Sequence, residues 1–167
     1  MTETTVRAYD PSSERDRQAL WARKVDFETE IGETTGGAEK SSRYDSKLTD
    51  EYKRRWLAWV ERCVDDDGRC LSLADAGAGV AGYVFVLPER LSFIWDAAVV
   101  NELYVVPEAR GDGVADALFE RAIAVAEEQA LPIDRLLLDV DPENDRARRF
   151  YDRYGFEPWG GIIAREV

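Results

Sequence analysis

The chain contains no histidine. That excludes Ser-His-Asp and Cys-His nucleophiles and any metal held by imidazole. Its two cysteines, Cys63 and Cys70, lack metal-ligand spacing and suggest no disulfide framework. Cys63 falls on the apolar stripe of a helical pattern and reads as core. No metal is expected. No run approaches the roughly 18 apolar residues that would cross a bilayer. Met1-Thr2-Glu3-Thr4-Thr5 has no basic region leading into an apolar stretch, so no signal peptide is expected. The expectation is a soluble, cytoplasmic protein.

Positive charge is also scarce. Against 34 acidic residues stand 22 basic ones, for a net charge of −12 and a pI near 4.5. A nucleic-acid partner needs a basic face, and so does an anionic membrane, so neither is expected. The only lysines are Lys24, Lys40, Lys47 and Lys53. Excess Asp and Glu, few lysines and abundant alanine resemble proteins of salt-loving organisms, where salt screens self-repulsion. A solvated acidic surface is favoured over acidity aimed at a cationic substrate.

What is present suffices for a core. The 167 residues are 45% hydrophobic and 11% aromatic, the size of one domain, taken as residues 1–167. Val6 to Tyr9 reads as a strand, and Asp10 to Ser13 as a turn that caps a helix over about 13–25. Residues 28–46 hold several glycines and serines with little periodicity and read as a long loop with a short helical turn. Thr49 caps a helix over about 50–65, with Tyr52, Trp56, Trp59, Val60 and Cys63 at helical spacing. Strands follow over 70–74, 80–87 and 97–106, then a helix over 113–129, a strand over 136–140 and a helix over 144–154. Gly155 is its left-handed cap. The tail after Phe156 reads as one or two short strands. The order β-α-α-β-β-β-α-β-α-β gives an α/β mixed sheet flanked by helices.

The central feature is a strand, a tight turn and a helix: Asn101 to Pro107, then Arg110-Gly111-Asp112-Gly113-Val114-Ala115. A helix N-terminus offers unpaired N–H groups and partial positive charge to a phosphate. Gly111 and Gly113 let the backbone come close to a ligand. The turn is neither the Walker sequence nor GxGxxG, and by itself a glycine pair before a helix is most often only a turn. About thirty residues on stands Asn144-Asp145-Arg146-Ala147-Arg148-Arg149-Phe150-Tyr151-Asp152-Arg153-Tyr154-Gly155-Phe156.

Together these stretches resemble the GNAT superfamily of acetyl-CoA-dependent N-acetyltransferases. Arg110 to Ala115 is similar to its R/Q-x-x-G-x-G/A signature. Asn144 to Phe156 is similar to N-x-x-A-x-x-F-Y-x-x-x-G-F, and Glu102 to Pro107 looks like its fourth strand. The resemblance is specific over residues 97–156 and topological before them. It implies a mixed, mostly antiparallel sheet of six or seven strands with about four helices, strands four and five splayed. Acetyl-CoA, a co-substrate, would enter that gap. Its pyrophosphate would lie on Arg110, Gly111, Asp112, Gly113, Val114 and Ala115. Its pantetheine arm would pair with Leu103, Tyr104 and Val105. Asn144 would bond the arm, or act as a helix N-cap, or both. Phe150 and Phe156 read as core. Asp112 departs from the family, which often has Lys or Arg there. Arg146, Arg148, Arg149 and Arg153 offer compensating charge, or form an exposed helix face.

The resemblance also implies roles in acetyl transfer to a primary amine within a ternary complex. Tyr151 matches the tyrosine near the coenzyme sulfur; the alternative is a ring packed under its helix. With no histidine, a carboxylate or water must take the amine proton. Glu102 stands where several members carry a carboxylate base; the alternative is an ion-paired strand glutamate. Strand alternation puts Glu102 and Tyr104 on one face. Acceptor choice in the family implicates residues 27–52, including Glu28, Glu30, Tyr44 and Asp45; their carboxylates either hold a cationic amine or, the favoured reading, belong to the acidic surface. The acceptor stays open among polyamines, amino acids, antibiotics and protein N-termini. Dimers are common in the superfamily, so a homodimer is an expectation to test. The competing readings are a non-catalytic acyl-CoA-binding or sensor domain of the same fold, and an unrelated α/β protein with a structural glycine turn.

Overall fold

The chain opens on a short strand, β1 (Thr4–Ala8), in a computed structural model that describes residues 3–167. Ser13 then starts α1 (Glu14–Thr34), its hydroxyl accepting from the Asp16 N–H. The helix α2 (Gly37–Lys47) comes next. Thr49 caps α3 (Asp50–Asp66) in the same way through Tyr52. Four strands succeed it with one helix between the last two: β2 (Leu71–Ala76), β3 (Val80–Val86), β4 (Ala98–Val105), then α4 (Val114–Glu127) and β5 (Leu136–Leu138). The helix α5 (Asp145–Arg153) is the last element, and 3-10 turns cover Glu89–Ile94 and Pro107–Ala109.

The sheet runs β1-β2-β3-β4-β5, antiparallel until β5, which pairs parallel to β4. A core is built on each face. On one, Leu20 of α1 and Trp56, Val60 and Cys63 of α3 meet Leu71, Leu73, Tyr83, Phe85 and Tyr104. On the other, Val114, Leu118, Phe119, Ala122 and Val125 of α4 meet Val84, Val86, Val100 and Val105, with Phe150 and Tyr151 of α5 against them. The expected core places of Cys63 and Phe150 hold.

Three expectations need correction. Residues 28–46 are not a loop: α1 continues to Thr34 and α2 begins at Gly37. The buried stripe of α1 is Asp16, Leu20, Lys24, Glu28 and Gly32, so charged residues occupy a helical face that apolar periodicity cannot reveal. A Cβ on Gly32 would lie 3.1 Å from the Ser41 Cα, so the bare glycine lets α1 and α2 approach closely. Among the described residues the sheet has five strands rather than six or seven, because no strand forms after Phe156. Gly160 and Gly161 break any alternation there, and Ile162 and Ile163 are exposed. The described residues form five α-helices rather than about four.

Two irregularities of β4 open one side of the sheet and set the direction of Glu102. Its pairing with β5 is confined to Ala98↔Leu136, Val99↔Leu137 and Val100↔Leu138, so beyond Val100 it has β3 on one side and no β5 partner on the other. Its register with β3 steps from Val86↔Val100 to Phe85↔Glu102, which leaves Asn101 as a bulge. Without the extra residue, alternation would put Glu102 on the α4 face with Val100. The bulge sends Glu102 to the face of α1 and α3.

Candidate active site

The turn after β4 is shaped by two glycines with left-handed backbone, Gly111 (φ 89°) and Gly113 (φ 82°). Gly113 is the N-cap of α4 and supplies no side-chain acceptor, so the first amides of a well-buried helix face outward uncapped. A Cβ at either glycine would meet nothing within 4 Å, so the space beside both is open. Val114 is buried and anchors the helix, while Asp112 is exposed.

Arg110 is committed to protein partners. Its Nε donates to the Val105 carbonyl at 2.9 Å and its Nη2 to Glu30 of α1 at 2.6 Å. Arg146 of α5 donates to the other Glu30 oxygen at 2.9 Å. Burial works to raise the Glu30 carboxyl, but the two guanidinium groups outweigh it and hold the group below its ordinary range. Two further ties join the start of α2 to the loop after β5: Lys40 to Asp141 at 3.0 Å, and the Gly36 N–H to Glu143 at 3.2 Å.

Asn144 caps α5, its side-chain oxygen accepting from the Ala147 N–H at 3.1 Å. This satisfies the oxygen and leaves the carboxamide NH2 as a donor. Tyr151 lies on α5 against Phe119, Phe150 and Phe156, with ring centroids 5.4–5.7 Å away. Burial pushes its phenol up to about 12. Tyr154 joins α5 to α4 by donating to Asp116 at 2.7 Å.

On the opposite face of the sheet Glu102 is buried in a charged cluster. One carboxylate oxygen takes an ion pair from Lys24 of α1, and the other accepts from the Tyr83 hydroxyl at 2.9 Å. Lys24, itself 2% exposed, also contacts Glu28 at 2.5 Å. The second Glu28 oxygen has no well-directed hydrogen bond, yet lies 2.8 Å from the Lys47 ammonium. That distance makes Lys47 its electrostatic partner. Tyr44 lies under Lys47, with the ammonium 4.3 Å from its ring centre. Burial raises the Glu102 carboxyl above its ordinary range although Lys24 pulls it down. Burial would lower the Lys24 ammonium, but Glu102 and Glu28 raise it.

Beyond Val100 the pairing of β4 with β5 ends and leaves a gap, and the Glu30 contacts of Arg110 and Arg146 bring the glycine turn and α5 together beside it. Residues 34–156 match the acetyltransferase (GNAT) family. The chain belongs to that family. A mycothiol acetyltransferase of Salinispora tropica is 30% identical over 163 residues, which cover 95% of this chain and 46% of that protein. An uncharacterized N-acetyltransferase of Methanocaldococcus jannaschii is 31% identical over 110 residues, 63% of this chain and 47% of that one. The chain thus spans about half the length of these curated relatives. An aminoglycoside N-acetyltransferase solved in complex with CoA superposes with a TM-score of 0.67 at 15% identity, covering 100% of this chain and 96% of that one. The likeness supports the GNAT fold with a five-stranded sheet.

Within this GNAT frame the residues singled out from sequence divide into two groups. Leu103, Tyr104, Val105, Arg110 to Ala115, Asn144 and Tyr151 lie on the strand, turn and helix around the gap. Glu102, Glu28 and Tyr44 gather on the α1–α3 face. Glu30 does not join them but sits with the glycine turn between Arg110 and Arg146. Sequence reasoning passed over Lys24 and Tyr83. The one signal for Lys24 was its place four residues after Leu20 and four before Glu28, on one helix face.

Proposed function

We propose that the protein transfers the acetyl group of acetyl-CoA to a primary amine of a small-molecule or peptide acceptor, by direct attack within a ternary complex. The observation that carries this reading is the five-residue stretch of β4, Asn101 to Val105, unpaired on its β5 side and leading into an open, uncapped helix N-terminus. A pantetheine arm has amides to satisfy, and this stretch has an edge to offer them. A pyrophosphate fits the space beside Gly111 and Gly113, where the α4 amides and helix dipole favour an anion. The NH2 of Asn144 can serve the arm while its oxygen caps α5.

Glu102 accepts the proton that the acceptor ammonium must lose, directly or through one water. Its raised carboxyl makes it a better base than an ordinary glutamate. The neutral amine attacks the thioester carbonyl carbon, and the nitrogen gives up its second proton to solvent as the tetrahedral intermediate collapses to the amide. An N–H of the Leu103–Val105 segment is the donor for the oxyanion. When the C–S bond breaks, the Tyr151 hydroxyl donates to the departing sulfur. A phenol near 12 loses its proton less readily than a thiol near 8.5, so Tyr151 stabilises the thiolate by a hydrogen bond more than by full transfer. Glu28 and Tyr44 contribute to the acceptor side, and Glu30 to the coenzyme turn.

One observation favours the non-catalytic reading, an acyl-CoA-binding or sensor domain. Glu102 is 7% exposed, and both its oxygens are engaged. Assay of CoA release over a panel of amines separates the two. Amine-dependent release with an acetylated product supports transfer, and tight acetyl-CoA binding without turnover supports the sensor.

A further inference from the structure

Three buried charges, Lys24, Glu28 and Glu102, lie together beneath β4. Lys24 is fully enclosed although it is one of only four lysines in a chain rich in surface arginine. Its ammonium is wedged between the carboxylates of Glu28 and Glu102 and covered by the rings of Trp56 and Phe27, 5.0 and 5.5 Å away. Such faces exclude water while still favouring a cation.

The groups around Glu102 come from every element packed on it: Lys24 and Glu28 from α1, Lys47 from α2, Tyr52 from α3 and Tyr83 from β3. Two carboxylates are balanced by two ammonium groups, but unequally. Lys47 reaches only the far oxygen of Glu28 and its side chain is 36% exposed. Lys24 is thus the sole full charge touching Glu102 among the described residues. Two buried carboxylates without a cation between them do not both stay ionised.

We propose that Lys24 is a positioning residue whose ammonium, held between Glu28 and Glu102, keeps the Glu102 carboxylate ionised and fixed beside the unpaired stretch of β4. The inference deepens the reading of Glu102 as the base and rests on it for its catalytic meaning. Glu28 has the opposite effect: it draws on the same ammonium and adds a like charge. Lys24 does not meet the substrate. It sets the charge of the residue that does.

The test is direct titration of the Glu102 side-chain carboxyl by carbon-13 NMR, in the wild type and in Lys24→Met, Lys24→Arg and Glu28→Gln. Each spectrum is assigned by its loss in the Glu102→Gln background. Lys24→Met should raise the Glu102 midpoint by about one to three pH units. Lys24→Arg should leave it near the wild-type value, and Glu28→Gln should lower it. The low-pH limb of kcat/KM should track each midpoint, and well below both midpoints Lys24→Met should lose about tenfold for each unit of the shift. A purely structural lysine would change melting temperature and leave the midpoint in place. If Lys24→Met does not fold, Glu28→Gln carries the test. An unmoved Glu102 midpoint in folded Lys24→Met or in Glu28→Gln overturns the proposal. A midpoint that moves while the rate profile stays put leaves the hold of Lys24 intact and removes Glu102 as the base.

Discussion

Glu30 and Arg110 lie eighty positions apart in sequence and meet at 2.6 Å, joining α1 to the glycine turn. Arg146 closes on the same carboxylate from α5. An internal anion thus sits where two guanidinium groups converge beside the proposed phosphate cradle. Coenzyme phosphates and Glu30 compete for the same positive charge. We predict that Glu30→Gln tightens acetyl-CoA binding by about 3- to 10-fold in dilute buffer, in keeping with the roughly 1 kcal/mol of a part-exposed ion pair. The gain should shrink in molar salt, where the Debye length is about 3 Å. Isothermal titration at two salt concentrations measures it. Weaker binding would show that Glu30 instead holds Arg110 in its working position.

The left-handed backbone at Gly113 leads to a second expectation. Its surroundings are open, so a larger side chain would meet strain in the backbone rather than a clash in the free protein. Gly113→Val should cost about 1–3 kcal/mol of stability and weaken acetyl-CoA binding at least tenfold. Gly113→Asn, which tolerates this conformation, should keep the fold. Valine binding with wild-type affinity would remove the turn from the coenzyme site.

Tyr151→Phe should lower kcat about 10- to 100-fold while leaving acetyl-CoA affinity unchanged, the range expected for one hydrogen bond to a developing charge. Pre-steady-state kinetics, which isolate the chemical step, make the comparison. An unchanged chemical rate would confine Tyr151 to packing against Phe119 and Phe156.

Acid sensitivity should come partly from Asp16. Arg7 of β1 clamps it at 2.7 and 2.9 Å, and that hydrogen bonding holds the carboxyl below its ordinary range despite burial. A carboxyl depressed by folding stabilises the fold above its unfolded value near 3.9, and that stability is lost as pH falls through the folded one. Asp16→Asn should therefore destabilise the protein by about 1–3 kcal/mol at neutral pH. The gap from wild type should narrow as the pH is lowered below 4. Urea melts across pH 3–7 would show a constant gap if the clamp were unimportant.

The proposed coenzyme side was legible because its parts are local. The Arg110–Ala115 turn and the Asn144–Phe156 helix carry their geometry in adjacent residues, and Asn144 caps its helix as expected. The acceptor side was not legible for two physical reasons. Lys24 and Glu28 lie on the buried stripe of α1, so the helix hides from any search for apolar spacing beyond Val25. The bulge at Asn101 decides which face Glu102 takes, and nothing in a run of β-branched residues marks where a register will slip. Glu30 lies close in sequence to Glu28 but points to the glycine turn, so one helix serves both sides of the gap.

Whether the gap beside β4 transfers acetyl or merely holds acyl-CoA is decided by thiol release from acetyl-CoA over a panel of primary amines. Release is measured in dilute and molar salt, with mass spectrometry of the acceptor. Transfer at this gap predicts release that depends on the amine, an acceptor heavier by one acetyl group, and loss of both in Glu102→Gln. Saturable acetyl-CoA binding with no acetylated acceptor at either salt concentration would contradict it.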